Sequence, residues 1–335
     1  MTAHATAPTR WGWIATGGIA RSVAHDLPLT EGAQPYAVAS RDLDRAQAFA
    51  DEHGFQRAYG SYAELLADPD VDAVYVATPH AQHHAVTSTV LAAGKPVLVE
   101  KAFTCTLAAA TDLVGQARAA GVFVMEAMWT RFVPNVVRLR ELIADGAVGE
   151  VRQVHADLGL VGPQDPGNRL WDPAQGGGAM LDLGVYPVSF AQMVLGAPAS
   201  VQARGSLAAT GVDAESGLLL SYADGRVALL SCSLLAASPG RAMVVGTGGR
   251  ILVEPRFHHP PRLVLQRDGR EDEVVELAPT GRGYAHQLQE VARCVRAGIA
   301  VSPVMPLADT LSVMAVMDEA LDQLGGVHRD EGFPA

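Results

Sequence analysis

The residues with the clearest capacity for chemistry lie in a glycine-rich segment near the middle of the chain, residues 176–187 (GGGAMLDLGVYP). Asp182 and Tyr186 are four residues apart, so they share one face if the segment is helical. A carboxylate beside a phenol, with glycines that permit close approach, fits a site packed against a flat cofactor. Lys101 is a natural complement, because an ammonium next to a phenol lowers the phenol's pKa and lets it exchange a proton with a substrate alcohol. The spacing alone also fits a core tyrosine and a surface lysine.

A second pattern, near the start of the chain, is typical of phosphate binding. An apolar run over residues 11–15 ends at the paired glycines Gly17 and Gly18, and a helix-compatible run follows over residues 19–27. Backbone N–H groups at the N-terminus of such a helix favour a phosphate or pyrophosphate. The dinucleotide fingerprint G-x-G-x-x-G/A is matched as Ala15-x-Gly17-x-x-Ala20, with the first glycine replaced. An ordinary turn between strand and helix explains these glycines equally well. On the functional interpretation the cradle consists of Thr16, Gly17, Gly18, Ile19 and Ala20.

The pair Ser40-Arg41 bears on the choice of cofactor. It follows Gly17 by 23 and 24 positions, close to where the ribose-reading residue of a dinucleotide fold is expected. An acidic residue there would repel a 2′-phosphate, whereas a hydroxyl and a guanidinium bind one well. We therefore predict that NADP is preferred over NAD, with Asp42 as a neighbour that opposes this preference. A solvated loop arginine is the alternative.

Hydrophobic periodicity predicts the elements that position these residues. Between residues 11 and 125, short apolar runs alternate with helix-like patterns, which predicts a Rossmann domain with a doubly wound parallel sheet. Ligands of such sheets bind at the carboxyl ends of the strands. The predicted ends are Thr16-Gly17, Ser40-Arg41, Thr78-Pro79-His80, Glu100-Lys101 and residues 126–129. We therefore expect Thr78, Pro79, His80, Glu100 and Lys101 to contact the cofactor.

His80, His83 and His84 raise the question of a metal site, since this spacing at a helix start can bring imidazoles together. Zinc usually takes three or four ligands, and we see no companion cysteine or carboxylate placed to complete such a set. We therefore expect polar contacts beside the cofactor, from His80 and His83 in particular, and no metal.

The pattern changes after Pro134, where a helix-like run is followed by a series of β-like segments. These segments cover residues 151–158, 201–207, 217–222, 227–234, 242–245, 250–254, 263–267 and 273–277. Asp224-Gly225 and Asp268-Gly269 are strong hairpin signals. We predict an α/β second domain with a large, mostly antiparallel sheet, whose open face favours a homo-oligomer. The predicted domains are residues 1–130 and 131–335, with closing helices near 284–296 and 307–324 that pack back on the first domain.

Bulk composition narrows the class of protein. The chain has 335 residues, 49% of them hydrophobic and 18% charged, as expected of a globular protein with two domains. The net charge of −11 argues against nucleic acid or an anionic membrane as the main partner. We identify no apolar run long enough to span a bilayer and no signal-peptide pattern. The chain has three scattered cysteines. We therefore expect a cytoplasmic protein.

Taken together, these motifs resemble the glucose–fructose oxidoreductase/inositol dehydrogenase (Gfo/Idh/MocA) family. The opening unit, Glu100-Lys101 and residues 176–186 carry the resemblance. Residues 125–134, 59–62 and 302–307 look like the subgroup of dimeric dihydrodiol dehydrogenases, also described as NADP-dependent D-xylose dehydrogenases. The resemblance extends from Trp11 to about Leu324. Ala102 follows Lys101 where proline is usual in the family, and Ala15 replaces the fingerprint glycine; both departures are mild.

The resemblance implies a Rossmann domain followed by an α/β domain whose open sheet forms a homodimer. It also implies Lys101 and Tyr186 as the catalytic pair, with Asp182 supporting the site. Inositol-type members have a histidine at the position of Tyr186, so the tyrosine points to the dihydrodiol or aldose branch.

We therefore predict an NADP-preferring oxidoreductase that transfers hydride between nicotinamide C4 and a secondary or anomeric hydroxyl of a sugar or cyclic diol. Tyr186 would exchange the hydroxyl proton, and Lys101 would hold the phenolate form. Trp129 and Arg131 are predicted to wall the substrate pocket. Trp171, with Asn168 and Arg169, is predicted to close over the pyrophosphate, although a purely structural loop is the alternative.

Two other functions remain open at this point. One is a sugar ketoreductase or 1,5-anhydrofructose-type reductase that uses the same residues in the reducing direction. The other is a non-catalytic NADP-binding sensor. The presence of Lys101, Asp182 and Tyr186 together argues against the sensor, because a protein that only binds the cofactor has no need of them.

Overall fold

The computed structural model describes residues 7–163 and 165–333, and its first half is built on a six-stranded parallel sheet. The strands are β1 (Thr9–Ile14), β2 (Ala33–Ala39), β3 (Arg57–Tyr59), β4 (Ala73–Val76), β5 (Val97–Glu100) and β6 (Val124–Ala127). The helices are α1 (Gly18–Asp26), α2 (Leu43–His53), α3 (Tyr62–Ala67), α4 (His83–Ala92) and α5 (Leu107–Ala120). The strand order β3-β2-β1-β4-β5-β6 confirms the predicted doubly wound Rossmann sheet.

Local sequence accounts for most of these elements. Strands β4, β5 and β6 are buried at every position, as expected of continuous apolar runs in a parallel sheet. Asp42 caps α2, and Ser61 with Glu64 forms the capping box that starts α3. Strand β3 was not predicted, because its three residues lie at the sheet edge, are only partly buried and form no apolar run.

The second half contains an eight-stranded sheet and four further helices. Its strands are β7 (Val151–Gly159), β8 (Ser200–Leu207), β9 (Asp213–Ser221), β10 (Val227–Ser233), β11 (Ala242–Gly246), β12 (Gly249–Val253), β13 (Leu263–Arg267) and β14 (Glu273–Val275). The helices are α6 (Pro134–Ala144), α7 (Val185–Leu195), α8 (Ala285–Arg296) and α9 (Leu307–Leu324). The strand order is β14-β13-β12-β11-β7-β10-β9-β8, with β7 and β10 parallel and the other neighbouring pairs antiparallel. The predicted large, mostly antiparallel sheet is confirmed.

One face of this second sheet is covered and the other is open. Helix α7 lies against β7 and β10, and α9 lies against β8. Along β10, Leu230 and Cys232 face the covered side, while Leu229 on the other side is 45% exposed. The alternation follows from the two-residue period of a strand with one buried face.

The closing helices tie the second half back to the first. Asp26, fully buried at the end of α1, accepts hydrogen bonds from the backbone N–H groups of Arg282 (2.8 and 2.9 Å) and Tyr284 (2.9 Å), just before α8. Helix α9 lies against α5 and β6. The two sheets are therefore joined by packed helices as well as by the chain connection near Pro134.

One helical segment, Pro173–Leu195, is long and apolar enough to span a membrane by length and composition alone, with a mean hydropathy of 1.3. The expectation that no apolar run is long enough to span a bilayer is therefore wrong for this segment by length and composition. Because 83% of its most apolar 18-residue window is buried inside the protein, the segment is the core helix of the second domain. The same segment carries Asp182 and Tyr186.

Candidate active site

Lys101, Asp182 and Tyr186 meet in a cleft between the two domains. Lys101 follows the last buried residue of β5, and its Nζ donates a hydrogen bond to the backbone carbonyl of Asp182 at 2.8 Å. The same Nζ lies 3.7 Å from Asp182 Oδ1 and 5.0 Å from the ring centroid of Tyr186. Three residues that are up to 85 positions apart in the sequence are thus brought into contact.

The backbone around Asp182 has an unusual form that presents it to Lys101. Residues Met180–Gly184 form one turn of π-helix before α7 begins. Pro187 has no N–H, so one carbonyl of the preceding turn has no hydrogen-bond donor within the helix. The Asp182 carbonyl accepts its hydrogen bond from Lys101. The irregular turn therefore gives the lysine an acceptor that a regular helix would use for itself.

Asp213, at the start of β9, fixes the beginning of this turn. Its carboxylate accepts a hydrogen bond from the Met180 N–H at 2.7 Å. Gly178 has φ +114°, and a Cβ there would lie 2.2 Å from Asp213 Oδ1. Only glycine fits both the backbone conformation and the close carboxylate.

Asp182 is ionised at neutral pH. Burial alone would raise the pKa of its carboxyl, but the Lys101 ammonium and the Arg169 guanidinium outweigh it and lower that pKa to about 2. Arg169 donates to Asp182 Oδ1 at 3.1 Å from the rim of the cleft. The carboxylate thus anchors two cations, one beside Tyr186 and one at the entrance.

The environment of Tyr186 differs from the sequence expectation. Burial raises the pKa of its phenol, and the charges of Glu100 and Asp182 raise it further. The Trp129 indole N–H donates to the phenol oxygen at 3.1 Å and opposes this effect. Lys101 was expected to lower the pKa of the phenol, but its ammonium lies over the ring face and donates to the Asp182 carbonyl. In this environment the phenol is neutral at pH 7.

Glu100 lies directly beneath these groups. It is 4% exposed and accepts hydrogen bonds from the Tyr75 hydroxyl at 2.5 Å and from the Lys101 backbone N–H at 3.2 Å. Burial raises the pKa of its carboxyl to about 7. The charge on the floor of the cleft therefore changes near neutral pH.

The other end of the cleft has the form of a dinucleotide cradle. In the described part of the chain, no side chain caps the N-terminus of α1 and no atom lies within 4 Å of a Cβ built on Gly17 or Gly18. The first N–H groups of α1 are thus open to an anion. Ala15 has φ +80°, a left-handed conformation that explains why the fingerprint has glycine there. The residues present therefore fit a bound pyrophosphate.

The cleft brings together most of the predicted cofactor residues in a volume of ≈ 440 Å³. They are Gly17, Gly18, Ile19, Thr78, Pro79, His80, Glu100 and Lys101. Asp182, Tyr186 and Arg169 line the same cleft. Thr16 follows Ala15, the first residue after β1. Ala20 is buried, and its carbonyl accepts a hydrogen bond from Trp13 Nε1 at 3.2 Å, so Ala20 faces the sheet.

Ser40 and Arg41 follow β2 at the same edge of the sheet. Arg41 is exposed. Burial raises the pKa of the Tyr62 phenol, and the nearby positive charges of Arg41 and Arg45 oppose this rise. Arg45 was not singled out from the sequence. It lies in the first turn of α2, four residues after Arg41, where helical spacing could have indicated it.

Three predicted site residues lie elsewhere. His83 is fully buried, with its ring nitrogens 2.8 Å from the Ala102 carbonyl and 2.9 Å from the Thr78 carbonyl, so it holds two strand ends together. The Trp171 indole donates to the Pro163 carbonyl at 2.8 Å, within its own loop. Arg131 is buried in an ion pair with Asp309 of α9 and braces that helix instead of walling the pocket.

Trp129 lies beside Tyr186 and donates a hydrogen bond to its phenol oxygen, and its role as a wall of the substrate pocket stays a prediction. The loop between β12 and β13 adds two residues that the sequence interpretation missed, His258 and His259. The His258 ring is 4.9 Å from that of Tyr186, and the His259 ring is 5.1 Å from that of Trp129. Both histidines are far along the chain from every recognised motif, so no sequence pattern indicated that they lie beside Tyr186 and Trp129.

The histidines weighed as metal ligands have other partners. The His80 ring nitrogens lie 2.8 Å from the Gly176 carbonyl and 3.2 Å from the Lys101 carbonyl, and burial lowers the pKa of His80 to about 3. His84 pairs with Asp112. Over residues 7–163 and 165–333, no group of three His, Cys, Asp or Glu side chains is arranged to hold a metal ion.

Comparison with known proteins places this cleft in context. Residues 9–128 match the family model described as "Oxidoreductase family, NAD-binding Rossmann fold", and residues 136–252 match the "GFO/IDH/MocA C-terminal domain". Among curated proteins, the trans-1,2-dihydrobenzene-1,2-diol dehydrogenase of Xenopus tropicalis is 36% identical, over 95% of this chain and 98% of its own length. The enzyme of the same name from Mus musculus is 37% identical, over 94% and 97% respectively.

Solved structures give a consistent result. KijD10, a 3-ketoreductase from Actinomadura kijaniata in complex with NADP and TDP-benzene, superposes with a TM-score of 0.82 at 28% identity, covering 98% of this chain and 100% of that one. An aldose-aldose oxidoreductase from Caulobacter crescentus superposes with a TM-score of 0.85 at 24% identity, covering 95% and 97%. The second likeness supports the fold alone.

Proposed function

The chain belongs to the GFO/IDH/MocA oxidoreductase family, as the resemblance predicted, and within it we propose an NADP-preferring dehydrogenase that oxidises a secondary or anomeric hydroxyl of a sugar or cyclic diol. The family makes the protein an NAD(P)-dependent dehydrogenase or reductase. The preference for NADP, the substrate class and the roles of Tyr186 and Lys101 are the proposed part.

The observation that carries this proposal is the contact of Lys101, Asp182 and Tyr186 in the cleft that begins at the N-terminus of α1. The cofactor, when bound there, supplies a hydride acceptor or donor at nicotinamide C4. Gly17, Gly18 and the first N–H groups of α1 would hold its pyrophosphate. This arrangement supports Lys101 and Tyr186 as the reactive end of the cleft.

Within this site we assign the proton transfer to Tyr186. During oxidation its oxygen takes the hydroxyl proton of the substrate, and during reduction its hydroxyl donates that proton back. Lys101, held by the carbonyl and carboxylate of Asp182, keeps a positive charge near the ring and so favours the phenolate that forms when the proton leaves. Asp182 is thus the counter-ion that keeps the lysine in place.

The substrate class rests on the relatives. Those at 36–39% identity are named for a cyclic diol, and the KijD10 structure contains a nucleotide analogue together with NADP. Support for NADP comes from Arg41 and Arg45, two cations at the end of β2 and the start of α2, where an adenosine 2′-phosphate would lie.

One observation favours the reducing direction as a second candidate. Burial raises the pKa of the Tyr186 phenol, and a neutral phenol is ready to donate a proton to a carbonyl. A sugar ketoreductase would use the same residues in this way. A non-catalytic sensor would bind NADP without turnover, and the three contacting residues argue against it.

We also propose that the open face of the second sheet forms a homodimer. The face presents Leu229 beside Leu219 of the neighbouring strand β9, within a shallow groove of ≈ 890 Å³. A sheet face with exposed leucines is suited to packing against a second copy of itself about a twofold axis.

The experiment that tests this function is a screen of aldoses, cyclic diols and keto-sugars with NADP(H) and NAD(H), followed by nicotinamide absorbance. We expect turnover with at least one sugar or cyclic diol and a higher kcat/KM with NADP. Binding of NADPH without turnover of any of these compounds would favour the sensor and contradict the proposal.

A further inference from the structure

Trp129 makes a polar contact that its prediction as a pocket wall does not explain. Its indole Nε1 donates a hydrogen bond to the Tyr186 phenol oxygen at 3.1 Å, and both side chains are buried. A phenol has one proton to donate and lone pairs to accept with. When the indole occupies a lone pair, the phenol proton is left to another acceptor, which in a loaded site is the substrate oxygen.

The indole is held rigidly in this position. Its ring packs against Tyr284 with centroids 4.4 Å apart and against His259 at 5.1 Å. Gly283 has φ +102°, and a Cβ there would lie 3.1 Å from Trp129 Cζ3, so the loop before α8 closes tightly over the ring. Asp26 fixes that loop through the N–H groups of Arg282 and Tyr284. A donor held in this way needs little rearrangement when charge develops on its partner.

We propose that Trp129 is a positioning residue for proton transfer: its indole N–H orients the Tyr186 hydroxyl toward the substrate oxygen and stabilises the phenolate that remains when the proton leaves. The inference rests on the proposed role of Tyr186. In the reducing direction the O–H bond of Tyr186 breaks, its electron pair stays on the phenol oxygen, and the proton forms the O–H bond of the product alcohol. In the oxidising direction the same proton returns.

Other groups also act on this phenol, and the test must separate them from Trp129. The titratable groups that face Tyr186 are Lys101, Asp182, Glu100, His258, Tyr75 and Tyr284. Unlike these groups, the indole is not titratable, and it acts on the phenol through its hydrogen bond. Its removal therefore leaves the charges around the phenol unaltered.

The sharpest variant replaces Trp129 site-specifically by benzothienylalanine, which keeps the bicyclic shape but has sulfur in place of the N–H. Trp129→Phe is the coded alternative should that variant fold poorly, and Trp171→Phe is the matched control because the Trp171 indole donates to the Pro163 carbonyl and not to Tyr186. The holoenzyme is assayed for oxidation of trans-1,2-dihydrobenzene-1,2-diol by NADP⁺ across pH. The tyrosinate absorbance of the NADP⁺-loaded protein, taken as the difference from Tyr186→Phe, is titrated in parallel.

A hydrogen bond to a charged group shifts an ionisation constant by roughly tenfold or more. We therefore expect the rising limb of the pH–kcat profile and the tyrosinate titration to move upward by about one pH unit in the variants, with the control unshifted. A uniform loss of kcat without any shift of either curve would overturn the inference. If Tyr186→Phe retains full kcat, the proposed function itself is wrong, which is a separate result.

Discussion

The Lys101 ammonium lies 5.0 Å from the ring centroid of Tyr186, yet its hydrogen bond goes to the backbone carbonyl of Asp182. In the proposed mechanism the lysine therefore acts on the phenol through its charge, while its hydrogen bond to the irregular turn before α7 holds it in place. We therefore expect the proposed catalytic effect of Lys101 to depend on its charge more than on the shape of its side chain.

Lys101→Met removes that charge and keeps most of the volume. We expect kcat to fall by about 10²-fold, because the phenolate form of Tyr186 loses its nearest cation. Lys101→Arg is the matched control, since it keeps the charge, and its kcat should lie between those of the wild type and of Lys101→Met. Steady-state kinetics with a substrate from the screen measures this. An equal loss of kcat in both variants would show that kcat depends on the fit of the side chain and not on its charge.

Arg41→Ala and Arg45→Ala test the choice of cofactor. Each removes a cation that we place beside the adenosine 2′-phosphate, so the KM for NADP should rise by about tenfold or more. The KM for NAD, which has no such phosphate, should change less than twofold. Arg270→Ala, in the exposed turn after β13, is the control and should affect neither. A wild-type preference for NAD would refute the assignment of both arginines.

Glu126 provides a test of stability against pH. Its carboxyl is 1% exposed, and burial raises its pKa from an ordinary 4.5 to about 7. Because the folded state holds the proton more tightly than the unfolded chain, the contribution of the Glu126 carboxyl to the free energy of unfolding is complete below pH 4.5. It is lost as the pH rises through 7. Glu126→Gln abolishes this dependence.

The free energy of unfolding of wild type relative to Glu126→Gln should therefore decrease by about 2 kcal/mol between pH 5 and pH 8. Chemical denaturation at both pH values measures this difference. Glu271→Gln, at an exposed position, is the control and should follow the wild type. A difference that does not vary with pH would mean that Glu126 is ionised throughout.

Leu229→Arg tests the proposed homodimer. Leu229 is 45% exposed on the open face of the second sheet, and a twofold interface there would bury two of the new charges. We expect wild type to show the mass of a dimer by light scattering and the variant that of a monomer. Leu29→Arg, at a residue that is 50% exposed in the first domain, should remain dimeric. A monomeric wild type would contradict the proposal.

Much of this fold could be predicted from the sequence because its elements depend on local signals. Apolar runs indicated five of the six strands of the first sheet, and the bounds of α9 agree with the predicted range 307–324. The Asp182–Tyr186 spacing placed both residues on one helical segment, and the family resemblance was confirmed. Strand β3 was missed because edge pairing, not hydrophobicity, forms it.

The details of the site were less predictable, for a physical reason. Residue type and spacing do not say which way a side chain turns after a strand or within a loop. Arg131 faces Asp309 of a helix that comes 178 residues later, and Trp171 folds back on Pro163. His258 reaches Tyr186 from the loop between two strands of the second sheet. Such contacts are set by tertiary packing, which a single sequence does not encode in any local pattern.

Tyr186→Phe removes one oxygen atom from a buried ring and so examines whether the Tyr186 hydroxyl exchanges the proton. The measurement is kcat of this variant, with its NADPH affinity and thermal unfolding recorded beside it. We predict that affinity and folding stay near the wild-type values while kcat falls by about 10²- to 10⁴-fold. A folded variant that binds NADPH and keeps the wild-type kcat would exclude Tyr186 as the proton exchanger.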